Sequence, residues 1–124
     1  MLRHWHLMGC AVITFISLTF SISASDSISV SDAELEFQLG SLLLQESRYE
    51  EALVAFKRAS QSPDAALVSL ARQNEIRAKL AIAEFSAAQI DAEALLRDEP
   101  SSIAVQTLYA DSLWASGLFD EAED

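Results

Sequence analysis

Three aromatic residues, Tyr49, Phe85 and Phe119, stand 36 and 34 residues apart. Each is followed three positions later by an alanine: Ala52, Ala88 and Ala122. Seven positions after the first two aromatics come Phe56 and Ala92, and ten after them Ala59 and Leu95. Internal similarity at a fixed period of some 20–50 residues marks an array of supersecondary units. The local patterns agree on helix. In "LEFQLGSLLL" apolar residues fall at Leu35, Leu39, Leu42 and Leu43, with Phe37 and Leu44 beside them, a wide stripe at the helical period. Ser31-Asp32-Ala33-Glu34 reads as a capping box. Ser62-Pro63-Asp64 offers a cap, a proline at the first helical position and an acid in the first turn. Pro100 stops one helix, and Ser101-Ser102 caps the next. Only three glycines and two prolines punctuate the chain, a balance that favours helix over sheet. The spacing predicts helices near 32–46, 49–61, 63–82, 85–98 and 102–116, and one from 119 onward.

Within this pattern Gly40, Ala52 and Ala59 are small where two antiparallel helices would meet backbone to backbone, with Tyr49 and Phe56 filling the wedge between them. A single helix pair cannot bury its own apolar face, so stacking on a neighbour must supply the missing surface. The same residues resemble the tetratricopeptide repeat (TPR), a helix–turn–helix unit of about 34 residues. Leu39-Gly40 is similar to that family's Leu-Gly pair. Gly117, two places before Phe119, matches its turn glycine, with Ser47 and Ala83 in the same place in the other two segments, and Pro100 matches its closing proline. The resemblance covers roughly residues 33–124: one unit at 33–66, a degenerate one at 67–102, and an incomplete one at 103–124. In the second unit Ile76 takes the place of the small residue and Leu95 that of the later alanine. The resemblance implies an all-α fold of antiparallel helix pairs stacked as a short right-handed solenoid. A generic antiparallel helical bundle with alanine-rich seams is the alternative architecture.

Residues 1–25 are of another kind. Arg3 precedes a run with no Asp, Glu, Lys or Arg until Asp26, and small residues at Ser23-Ala24-Ser25 offer a cleavage site. That is the pattern of a secretory signal peptide. Retention of residues 5–25 as an N-terminal membrane anchor is the alternative, since a span takes about 20 residues. "LMGC", ending at Cys10, also resembles a bacterial lipoprotein box, although most of the apolar run follows the cysteine here instead of preceding it. The single cysteine and both histidines, Cys10, His4 and His6, lie in this segment. Its removal leaves seven basic side chains against nineteen acids, a net charge of −12. So negative a surface repels phosphate backbones, which argues against a nucleic-acid partner.

Export without cysteine or histidine narrows the chemistry. Cysteine nucleophiles and Ser–His triads are excluded from the mature chain. The carboxylate pairs Asp91/Glu93 and Asp98/Glu99 fall on expected solvated faces. No glycine-rich phosphate loop and no calcium loop is present. No catalytic residue, metal site or cofactor is expected, and a protein or peptide partner is. The resemblance places a partner groove on the first helix of each unit, at Phe37, Ser41, Leu44 and Gln45, then Gln73, Arg77 and Leu80, then Thr107, Asp111 and Trp114. Arg77 is the one basic residue among them, so capture of an acidic C-terminus is not expected; an apolar or mildly polar partner is, with Trp114 as anchor. The reading is an exported, non-catalytic interaction scaffold of the periplasm, cell envelope or extracellular space, touching membrane only if residues 5–25 are retained. Because the sixth helix begins so near the last residue, the sequence is also expected to be a fragment. On that view it is the N-terminal accessory region of a larger enzyme or assembly factor.

Overall fold

The computed structural model describes residues 28–118. They form five α-helices: α1 Val30–Gln45, α2 Tyr49–Ala59, α3 Ala65–Ala81, α4 Phe85–Asp98 and α5 Ile103–Ala115. The fold is all-α, with no strand among the described residues. The expected targeting segment, residues 1–25, and the helix expected from 119 lie outside the described residues. Each helix packs on the next, α1 also touches α3, and α3 also touches α5; α1 and α5 do not meet.

The caps differ in detail from the expected ones. The N-cap of α1 is Ser29, whose hydroxyl oxygen accepts from the Asp32 amide at 3.2 Å and donates to the Asp32 carboxylate at 2.7 Å. Ser29 and Asp32 have the same spacing as Ser31 and Glu34 and act two residues earlier, so Ser31 lies inside the helix. Ser62 does not cap α3 and Pro63 is not its first residue. Asp64 is the cap, accepting from the Ala66 amide at 2.9 Å, while Ser62 is buried and accepts from the Asp64 amide at 3.1 Å. Asp64 stands immediately before the first helical residue, within reach of the Ala66 amide, whereas Ser62 is two residues farther back. Ser102 caps α5 as expected, accepting from the Val105 amide.

The connections between α1 and α2, α3 and α4, and after α5 are built alike. The Ser47 amide donates to the Leu44 carbonyl and the Arg48 amide to that of Leu43. Ala83 and Glu84 do the same to Leu80 and Lys79, and Gly117 and Leu118 to Trp114 and Leu113. This is the Schellman arrangement, which needs a left-handed residue at its centre. Ser47, Ala83 and Gly117 have φ of 60°, 63° and 79°. Only the third is the glycine that suits this conformation.

Two buried clusters result. Leu43, Ala52, Ala55 and Phe56 form one, edged by Phe37 and Leu44. Ile76, Ala88, Ala92, Leu95, Val105 and Leu108 form the other, edged by Leu80, Leu96 and Tyr109. Ala52, Ala59, Ala88 and Ala92 are fully buried, as the small-residue seam required. Gly40 plays a different part from the one expected. It meets a side chain and not the opposing backbone: a Cβ built there would lie 2.7 Å from Cε1 of Phe56. The ring of Phe56 fills the space a side chain at position 40 would occupy. At the corresponding positions of the next pair the volumes are exchanged, with Ile76 in place of Gly40 and Ala92 in place of Phe56, both buried in one cluster. The departure at Ile76 is therefore compensated across the helix pair.

Candidate functional site

The ten groove positions divide between packing and surface. Phe37 tilts against Phe56, ring centroids 5.7 Å apart, and Leu44 joins it at the edge of the first cluster. Leu80 packs on the second cluster. Gln73 is buried and its amide donates to the Ser69 hydroxyl at 3.2 Å. The Ser41 hydroxyl is taken by the Phe37 carbonyl, and the Thr107 hydroxyl by that of Ile103. Gln45, Arg77, Thr107, Asp111 and Trp114 are exposed, Trp114 at 59%. Arg77 donates to the Asn74 side chain at 2.7 Å.

α1 and α3 flank a cleft of about 400 Å³ at their N-terminal halves, lined by Val30, Glu34, Phe37, Gln38, Asp64, Ala66, Leu67 and Leu70. Of the sequence-derived residues, Phe37 alone lines it. Val30 and Leu70 leave about half of their surface in solvent, which gives this cleft an apolar rim between two acids.

A larger space, unanticipated from sequence, lies on another side. α2, α3 and α4 enclose a trough of about 580 Å³ lined by residues that include Leu53, Val54, Lys57, Glu75, Lys79 and Asp91. It continues into a second cleft of about 370 Å³ past Ser60, Arg72 and Ile76. Lys57, Glu75 and Asp91 border both. Lys79 is ion-paired with Asp91 across the α3–α4 contact, and Arg72 with Asp98 at 2.7 Å. Glu75 has no ion pair among the described residues, and its Oε1 is buried without a hydrogen-bond partner. Burial pushes its carboxyl above the ordinary glutamate value. Ser60, Lys79 and Lys57 oppose that rise, and Asp91 adds to it.

One signal for this site was present in the sequence. Ala71 and Ala78, four residues before and three after Glu75, share its helix face and are fully buried. A glutamate on a stripe of small apolar residues is drawn inward by its neighbours. Its i,i+4 spacing to Lys79 is equally that of an exposed ion pair, so the stripe alone does not decide its depth.

No family model matches the chain, and no curated protein and no solved structure matches it either. Among the described residues no helix is long and apolar enough to cross a membrane.

Proposed function

We propose that the protein is an exported, non-catalytic scaffold of stacked TPR-like helix pairs that binds another protein in the cell envelope. The observation that carries this reading is the threefold recurrence of one helix-ending turn, with the same two hydrogen bonds and the same left-handed residue, at the spacing of the aromatic repeat. A generic bundle has no reason to reuse one connection in register. The absence of contact between α1 and α5 also favours an open stack over a closed bundle.

In an open stack the first helices of successive pairs share one side. On this reading the partner-facing side takes in the apolar-rimmed cleft between α1 and α3, and Arg77, Thr107, Asp111 and Trp114 are exposed for contact. A partner segment of mixed apolar and polar character suits it better than an acidic peptide, given Glu34 and Asp64 at the cleft.

The test is photo-crosslinking in cells from positions 70 and 111 of the full chain, with position 93 on α4 as control. Adducts to an envelope protein from the first two and not the third are expected. Adducts of equal yield from all three, or from none with the chain folded and exported, overturn the reading.

A further inference from the structure

The feature that neither the repeat nor the proposed groove uses is the carboxyl of Glu75. It sits where α2, α3 and α4 converge, on the border of both clefts. One oxygen is sealed from water and accepts nothing. A buried acceptor without a partner is costly, and an ionised one more so. The charged groups around it do not remove that cost. From α2, Lys57 is exposed and, like the Ser60 hydroxyl, favours the ionised form without cancelling the effect of burial, while Glu50 adds negative charge to the trough. From α3, Lys79 is engaged by Asp91 and Arg72 by Asp98. From α4, Asp91 repels, and Glu84 at the helix start is a further acid on the trough wall.

We propose that Glu75 is a proton-operated lock on the seam between α2, α3 and α4. With its proton on, the carboxyl is neutral and the seam stays shut. Once ionised, it draws water in along the flanking clefts, and α2 opens from α3 more often. The seam is tighter with that proton bound than with it released.

The sign follows from proton linkage. The folded carboxyl holds its proton to higher pH than the unfolded one, whose ordinary value is about 4.5. Between those two values the folded state carries one proton more, so stability falls as pH rises. The contribution is complete below about 4.5 and is lost once pH passes the folded value.

The test is hydrogen exchange on the full chain, corrected for the intrinsic pH dependence of amide exchange and followed from pH 4.5 to 8. Amides of α2 and α3 are expected to open more frequently with rising pH, by up to about tenfold per unit, the limit for one proton. Glu75→Gln is expected to abolish that slope. An unchanged slope in the variant, or a flat profile in the parent, overturns the proposal. A carbon-13 titration of the Glu75 carboxyl in the parent protein decides the matter even if the variant fails to fold: a midpoint above 4.5 is required, and one at or below it refutes the lock.

Discussion

Exchanging the residues at positions 40 and 56 is a direct test of how the helix pairs are packed. Phe56 is fully buried, and Phe56→Ala removes six ring carbons from a closed interior. Such truncations cost about 3–5 kcal/mol. Gly40→Ile alone drives a branched side chain into that ring. Its first carbon already comes to 2.7 Å from Cε1 and 2.8 Å from Cδ1 of a ring that is fully buried and packed against Phe37. The cost is at least about 1–3 kcal/mol, against a gain of only a few tenths from replacing a helical glycine. Independent effects would sum to about 4–8 kcal/mol, enough to consume most of the stability of a small domain. The combined variant should behave otherwise. It recreates the pairing of Ile76 with Ala92, and the new isoleucine occupies much of the space the ring gave up. It is expected to lie about 1–2 kcal/mol below the parent, the usual penalty for a conserved volume of altered shape. Urea unfolding followed by far-ultraviolet circular dichroism reads this as a midpoint shift at constant slope. If the double variant is no more stable than Phe56→Ala alone, the two pairs do not share one packing scheme and the compensation is accidental.

Two further outcomes rest on backbone geometry. Ala83→Gly relieves a left-handed alanine, and the added freedom of the unfolded chain offsets only part of that gain, so a net stabilisation of about 0.5–1 kcal/mol is expected in the same urea assay. Asp64→Ala should cost about 1 kcal/mol through loss of the α3 cap, whereas Ser31→Ala should be neutral within about 0.5 kcal/mol, because Ser29 caps α1.

The helices were legible because periodicity and punctuation agreed along most of the chain. The α4 limits, 85–98, are those the spacing indicated, and α2 ends two residues sooner than expected. The caps were less so, since serine and aspartate cluster before α1 and α3, and the choice among them depends on where the backbone turns. What sequence could not supply was the depth of each position. Gly40 looked like a site of backbone contact because glycine removes volume, but volume alone does not say which neighbour takes it. Gln73 fits a groove by repeat register and is buried by the tertiary packing of α3. Glu75 and the trough it borders depend on three helices at once, a relation no single periodic stripe encodes.

The repeat is carried by its connections more firmly than by its core. The links within the pairs α1–α2 and α3–α4 have three residues each, 46–48 and 82–84, whereas the links between pairs are Ser60–Asp64 and Glu99–Ser102. In the short link Arg48 closes the turn of α1 and is also the N-cap of α2, and Glu84 does both for α3 and α4. No side chain caps α2 or α4; the backbone alone sets their direction. Positions 40 and 56 are therefore brought face to face whatever residues occupy them, and only their joint volume is constrained. That reasoning makes the two kinds of link unequal. One glycine inserted between Ser47 and Arg48 breaks the bond from the Arg48 amide to Leu43 and turns α2 away from α1, so Phe56 loses its seat against Gly40. Loss of the cooperative urea transition is expected. The same insertion between Gln61 and Ser62 lengthens a loop by one residue, with a small closure-entropy cost and the loss of the bond from the Ser62 amide to the Ala59 carbonyl, about 1–2 kcal/mol in all, and the transition should persist. Equal damage from both insertions would mean that the turn follows from the packing of the pair and does not set it.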